Sequence, residues 1–219
     1  MANLLLIVAA GSGSRLGRPE PKALVPLAGR PLLAWTLEAF APVAFARTVV
    51  AAPPDRVTDF ARLVGDRATV VAGGATRSAS VRRGFEALGA ADGDIVAVHD
   101  AARPFLSAGE IRAVLDAAGR AGAAIAATAV VDTIKKVSGG RILRTLDRSD
   151  LYGAATPQAF RAEILRHVLA AGGEATDEAA LCEAAGLPVD VVPVSRESFK
   201  ITTPEDLELA EAILGRRGR

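Results

Sequence analysis

Short apolar runs alternate along the chain with segments whose apolar residues recur every three or four positions. The runs at residues 4–8, 48–52, 69–71, 95–99, 123–127 and 189–194 predict strands. Between them, residues 31–40, 55–64, 78–88, 108–121, 161–171, 177–185 and 204–214 carry the helical period. Pro31 and Pro204 stand where proline is favoured in a first helical turn, and Thr203 can cap the last helix. The run Ile95-Val96-Ala97-Val98 is apolar at every position, as expected of a strand covered on both faces. The alternation therefore predicts an α/β fold with a mostly parallel sheet between helical layers.

One segment breaks the rhythm. Residues 132–148, D-T-I-K-K-V-S-G-G-R-I-L-R-T-L-D-R, hold two short alternating runs around Ser138-Gly139-Gly140, which is a hairpin signal. Its faces carry Lys135, Lys136, Arg141, Arg144 and Arg148, so the hairpin is expected to project from the sheet. From the residues alone, docking on a partner subunit and a solvated projection are both open. There is no internal repeat or linker. The expectation is one domain over residues 1–219, with a β-arm at about 133–153.

Composition narrows the chemistry. The 219 residues are 50% hydrophobic and 23% charged, enough to bury a large core without a disulfide or metal staple. With 26 basic and 25 acidic residues the formal net charge is +1, so no broad positive field exists to hold nucleic acid or an anionic membrane. Phosphates, if bound, need a local site. Only Lys22, Lys135, Lys136 and Lys200 are lysines, against 22 arginines. Cys182 stands alone in a helical pattern and reads as a small buried thiol, which fits a cytoplasmic protein. The N-terminal M-A-N-L-L-L-I-V-A-A lacks a basic flank and reads as a buried strand rather than a signal peptide. No apolar stretch reaches the ~20 residues of a membrane helix.

The first strand runs into A-A-G-S-G-S-R-L-G-R-P-E-P-K. In open α/β sheets ligands bind beyond the carboxyl ends of the strands, and a glycine-rich turn there lets backbone N–H groups approach phosphates. A dinucleotide fingerprint does not fit: the spacing of Gly11, Gly13 and Gly17 is wrong, and Pro19 and Pro21 block the helix it needs. The second predicted strand ends in Ala51-Ala52-Pro53, without an acid for a ribose. Nor is it a P-loop, because Lys22 follows Pro21 rather than the glycines. What remains is a long loop with backbone donors, followed by Arg15 and Lys22 on an extended stretch that could wrap a triphosphate.

The stretch G-x-G-x-R-L-G…P-K resembles the signature of sugar and polyol nucleotidyltransferases. G-G-A-T-R-S-A-S-V, H-D-A-A-R-P, D-T-I-K-K, A-A-T-P-Q, T-D-E-A and F-K-I-T-T-P-E-D-L follow in the order found in the 2-C-methyl-D-erythritol 4-phosphate cytidylyltransferase family, over nearly the whole chain. The resemblance implies a Rossmann-like three-layer sandwich with a projecting β-hairpin arm for dimerisation. It also implies transfer of CMP from CTP to methylerythritol 4-phosphate with release of pyrophosphate. The acceptor phosphate is already an oxyanion. The demand on the protein is therefore alignment and neutralisation of building charge, rather than a nucleophilic side chain.

Carried over residue by residue, the resemblance assigns Arg15, Lys22, Arg148 and Lys200 to catalysis. It gives Ala9, Ala10, Gly11, Ser12, Gly13, Ser14, Gly74, Ala75, Ser80 and Ala101 to CTP. Asp100, Arg103, Thr133, Arg148, Thr156 and Thr176 go to the acceptor, and Asp100 also to Mg²⁺ or another divalent cation. One carboxylate completed by substrate oxygens is a normal Mg²⁺ arrangement. Thr133 and Arg148 flank the hairpin and would serve the neighbour's site in a homodimer. His99 and Asp100 are strand neighbours that point to opposite faces, so they form no catalytic dyad, and His99 is expected to support the site. His167 reads as a packing or surface residue. The chain departs from the family at Ala23, where glutamine is usual, at Ala75, where an acid is frequent, and at Tyr152-Gly153, where an aromatic–His pair stands. Two rivals share these residues: a cytidylyltransferase for another polyol phosphate, such as ribitol 5-phosphate, and a non-catalytic nucleotide-binding module.

Overall fold

The computed structural model of the chain describes residues 1–217, apart from residues 12, 14, 15, 19 and 174. In chain order its elements are β1 (Asn3–Val8), β2 (Pro26–Leu27), β3 (Arg30–Pro31), α1 (Leu32–Phe40), β4 (Arg47–Ala52), α2 (Val57–Val64), β5 (Thr69–Ala72), α3 (Arg77–Leu88) and β6 (Ile95–Asp100). There follow α4 (Ala108–Ala121), β7 (Ala123–Ala129), β8 (Lys135–Ser138), β9 (Arg141–Thr145), β10 (Tyr152–Arg161), α5 (Ala162–Ala170), α6 (Glu178–Ala184), β11 (Asp190–Pro193) and α7 (Pro204–Arg217).

The main sheet has the strand order β11-β7-β10-β6-β1-β4-β5. Every neighbouring pair is parallel except those of β10, which runs antiparallel to both β6 and β7. The α/β sandwich with a mostly parallel sheet is thus as the pattern predicts. Alternate residues of β1 feed two separate cores. Leu5 and Ile7 pack with Leu33, Phe40, Phe60 and Ile111 on one face. Leu4 and Leu6 pack with Val81, Leu88, Phe160 and Leu165 on the other. Each fully buried Leu or Ile contributes about 1.5–3 kcal/mol relative to exposure, so β1 is anchored from both sides. A third cluster, Leu16, Val25, Leu27, Phe105, Ile201 and Ile213, seats α7 against the loop that follows β1.

Two local expectations are corrected. The hydrophobic pattern predicts no strand at β10, yet residues 155–160 are buried at the centre of the sheet. Pro157 cannot donate to a ladder, and the pairing with β7 shifts register between Ala154 and Gln158 to accommodate it. The helix expected from residue 78 starts at Arg77, and its cap is Thr76, whose hydroxyl accepts from the Ala79 N–H. Thr203 caps α7 as expected, accepting from the Asp206 N–H. The predicted hairpin is present as β8 and β9, paired with each other and separate from the main sheet.

Candidate active site

Val8 and Asp100 pair at the carboxyl ends of β1 and β6, and a cavity of about 440 Å³ opens beyond them. This is where open α/β sheets place ligands. The loop after β1 contributes Ala9, Ala10, Gly11, Gly13, Lys22 and Ala23 to its lining. The turn before α3 contributes Gly74, Ala75, Thr76, Arg77 and Ser80. Asp100, Ala101 and Ala102 come from the end of β6, and Lys200 from the approach to α7. Of the predicted CTP and catalytic residues, Ser12, Ser14 and Arg15 lie outside the described residues, and all the others except Arg148 line this one cavity.

Glycine is required at two of these positions. Gly13 sits at φ +71°, and a Cβ there would stand 2.9 Å from the Cβ of Lys22. The loop therefore folds back until the Lys22 N–H bonds the Gly11 carbonyl at 3.3 Å. At Gly74 a Cβ would meet the Ala79 Cβ at 2.3 Å, so only glycine lets the turn lie against α3. The buried Ser80 hydroxyl locks that turn, accepting from the Gly74 N–H at 3.0 Å and donating to the Thr76 carbonyl at 2.9 Å. The Ala23 side chain, in place of the usual glutamine, is buried in the core beneath the loop.

Charge converges on Asp100. Lys200 Nζ lies 2.9 Å from its carboxylate, Arg77 Nε 3.5 Å and Arg103 Nε 3.6 Å. Burial alone would raise this carboxyl, but Lys200, Arg77 and Arg103 together hold it well below the usual carboxylate range. It is an anion at any physiological pH. Arg77 is itself held by a two-pronged pair with the buried Glu178, at 2.6 and 3.0 Å. Gln158 and Asp177 lock the start of α6 that presents Glu178: Gln158 donates to Asp177 at 2.9 Å and accepts from the Ala179 N–H at 3.0 Å. Among the described residues, three cations (Arg77, Arg103 and Lys200) surround the Asp100 carboxylate, and Lys22 lines the same cavity, an arrangement suited to a polyphosphate.

Sequence reasoning does not single out Arg77 or Glu178. A signal is available for Arg77: it opens α3, and a cation in a first helical turn opposes the helix dipole unless it has a partner or a ligand. Thr202 is missed as well. It receives Lys22 Nζ at 3.5 Å, tying the glycine loop to the Lys200 segment.

The acceptor-side residues divide. Arg103 lies behind Asp100, its guanidinium donating to the Ser198 carbonyl at 2.9 Å. Its buried Nε has no hydrogen-bond partner among the described residues. Thr156 is buried, and its hydroxyl is engaged by His99 and by the Asp100 N–H. Thr176 is exposed. Thr133 and Arg148 are exposed at the base of the arm and do not line the cavity, and Arg148 donates to the Val131 carbonyl. His99 and Asp100 do point to opposite faces: the His99 ring packs in the core, 4.6 Å between centroids from Phe40, and burial pushes it down to about 3. His99 is therefore a neutral ring within the core.

Among the described residues no three His, Cys, Asp or Glu side chains converge as a metal cage. Asp100 alone fits Mg²⁺, which dehydrates reluctantly and takes one or two carboxylates plus phosphate oxygens and water. Among the described residues no helix is long and apolar enough to cross a membrane.

Comparison with known proteins bears on this site. The family model of 2-C-methyl-D-erythritol 4-phosphate cytidylyltransferase matches residues 4–216. The protein of that name from Prochlorococcus marinus (strain MIT 9313) is 44% identical over 222 residues, covering 97% of this chain and 98% of that one. The crystal structure of the Thermus thermophilus protein of that name is 40% identical with a TM-score of 0.80, covering 97% of this chain and 98% of that one. The Francisella tularensis structure is 30% identical with a TM-score of 0.83, covering 97% and 99%.

Proposed function

The chain belongs to the 2-C-methyl-D-erythritol 4-phosphate cytidylyltransferase family, and from that premise we propose which of its own residues carry the transfer. The enzyme transfers CMP from CTP to 2-C-methyl-D-erythritol 4-phosphate and releases pyrophosphate, in the formation of isoprenoid precursors. Members of the family use a divalent cation.

In our reading, all 219 residues form one nucleotidyltransferase domain that works in the cytoplasm. The free, buried thiol of Cys182 supports that location. The glycine loop at residues 9–14 and the turn at Gly74, Ala75 and Ser80 hold CTP, with Ala75 contributing backbone contacts. An oxygen of the acceptor phosphate attacks the α-phosphorus, and the bond to pyrophosphate breaks on the opposite side. Lys22, Lys200 and Arg15, the last outside the described residues, neutralise the charge that builds on the α-phosphoryl group and the leaving pyrophosphate. Arg77 and Glu178 keep Asp100 aligned and ionised. Arg103 and Thr176 receive the acceptor. Bound Mg²⁺, held by Asp100 and the substrate phosphates, would bring two anions together and offset their charge.

The acceptor site is completed across a homodimer by the partner subunit's Thr133 and the partner subunit's Arg148. The exposure of the arm supports this. The observation that carries the whole reading is the triply paired Asp100 at the mouth of the glycine-loop cavity. Purified protein with magnesium should release pyrophosphate from CTP when methylerythritol 4-phosphate is added, and far less with ribitol 5-phosphate. Equal turnover of both acceptors, or of neither, overturns it.

A further inference from the structure

We infer that His99 is a positioning residue for the transfer: its imidazole joins the two ends of the 100–103 turn, acting through Thr156 on Asp100 and directly on the Arg103 carbonyl. The inference rests on the roles proposed above for Asp100 and Arg103.

The bonds allow one direction each. His99 Nε2 lies 3.1 Å from the Arg103 carbonyl oxygen, which can only accept, so Nε2 carries the proton. His99 Nδ1, then a lone pair, lies 3.0 Å from Thr156 Oγ1 and accepts the hydroxyl proton. The hydroxyl oxygen is left to accept the Asp100 N–H at 3.1 Å. The chain Asp100 N–H, Thr156 hydroxyl, His99 ring, Arg103 carbonyl is therefore complete and directional.

The rest of the turn has no slack. The Asp100 carbonyl takes the Arg103 N–H at 3.2 Å, and the Ala102 carbonyl takes the Ile201 N–H at 2.9 Å. The Ala101 carbonyl takes the buried Thr36 hydroxyl at 2.8 Å. Each carbonyl of residues 100–103 thus has a partner, and His99 supplies the last one. Removing the Nε2 limb frees the Arg103 carbonyl, and removing the Nδ1 limb lets the Thr156 hydroxyl rotate away from its orientation toward the Asp100 N–H. A histidine present only for packing would have no such polarity. Its loss would loosen the core against Phe40 and reach both substrates alike.

The two limbs can be cut separately. His99→Asn keeps an acceptor near the Nδ1 position but is too short to reach the Arg103 carbonyl. His99→Gln carries an amide donor near the Nε2 position and gives up the acceptor for Thr156. His99→Asn should raise KM for methylerythritol phosphate about tenfold with little change in kcat, and His99→Gln should lower kcat about tenfold with KM retained, the scale of one lost positioning hydrogen bond. Phe40→Leu, which disturbs only the packing, should lower Tm without separating kcat from KM. Loss of the same constant in both His99 variants, or reproduction of their kinetics by Phe40→Leu, overturns the inference. Should the His99 variants not fold, ¹⁵N NMR of the unaltered protein decides: the Nε2–H tautomer is expected, and the Nδ1–H tautomer overturns it. A wild-type enzyme inactive towards methylerythritol phosphate would refute the reading of the site. An active wild type without the kinetic split refutes only the role of His99.

Discussion

The turn after β6 and the β8–β9 arm are assigned to one reaction and are built in opposite ways. In the turn, Asp100 is buried, three cations face it, and each backbone carbonyl of residues 100–103 has a hydrogen-bond partner. In the arm, every residue of β8 and β9 is exposed, including Val137, Ile142 and Leu143 at 54%, 64% and 59%. Its polar contacts are local, such as Lys135 Nζ to the Thr145 hydroxyl at 2.7 Å. A fixed array of charges in a water-poor cleft needs no rearrangement when reaction charge develops. A cationic ribbon that also exposes Val137, Ile142 and Leu143 to water gains from burying those three against another surface. In the account proposed above, the turn is finished within one copy of the chain, and the arm requires a second.

The largest expected effect lies in the turn. Asp100→Asn leaves Lys200, Arg77 and Arg103 without their shared anion, and kcat should fall about 100-fold or more, the scale seen when one preorganised electrostatic group is lost. Steady-state kinetics at saturating CTP will check this, and a drop of only a fewfold would mean that the cations need no anion to hold them. A smaller but complementary effect belongs to the arm. Ile142→Asp with Leu143→Asp should shift the protein to monomers in sedimentation, with activity falling in step and Tm nearly unchanged. If activity survives in the monomer, the arm is only a solvated projection.

The smallest effect is a pH dependence that only the turn should show. Between the ordinary histidine value of 6.5 and about 3, the unfolded chain takes up a proton that buried His99 refuses. Stability contributed by the neutral ring therefore falls as pH falls through that window. Asp100 acts with the same sign at the acid end, since its folded carboxylate stays ionised where an unfolded one protonates. Tm measured from pH 7 to pH 5 should decline more steeply for the wild type than for His99→Gln, and parallel slopes would contradict a buried neutral ring.

The sequence pattern reveals those parts of the molecule that depend on local order. β1, β4 and β6 are legible because strands buried on both faces are apolar at nearly every position. β10 is not, because Gly153, Pro157 and a run of alanines carry no strand period; the neighbours β6 and β7 bury it. The site divides the same way. Lys22, Asp100 and Lys200 stand in motifs whose order along the chain points to a family, and the fold brings them to one cavity. The contacts that hold them are invisible in the sequence. Arg77 meets Glu178 across 101 positions and Thr156 meets His99 across 57, distances that only the crossed strand order closes. The turn is thus readable in its charges and not in its supports. The arm is readable as a hairpin, whereas its use of a partner is implied by family resemblance alone.

Mixing two inactive variants tests the division of labour between turn and arm most directly. Asp100→Asn spoils the turn and keeps the arm, and Arg148→Ala keeps the turn and spoils the arm. In a two-fold dimer assembled at random from equal amounts, half the dimers are mixed and each has one intact site, so about a quarter of wild-type activity should return. Activity no higher than that of the separate variants, under conditions where mixed dimers are shown to form, would contradict an active site shared between two copies.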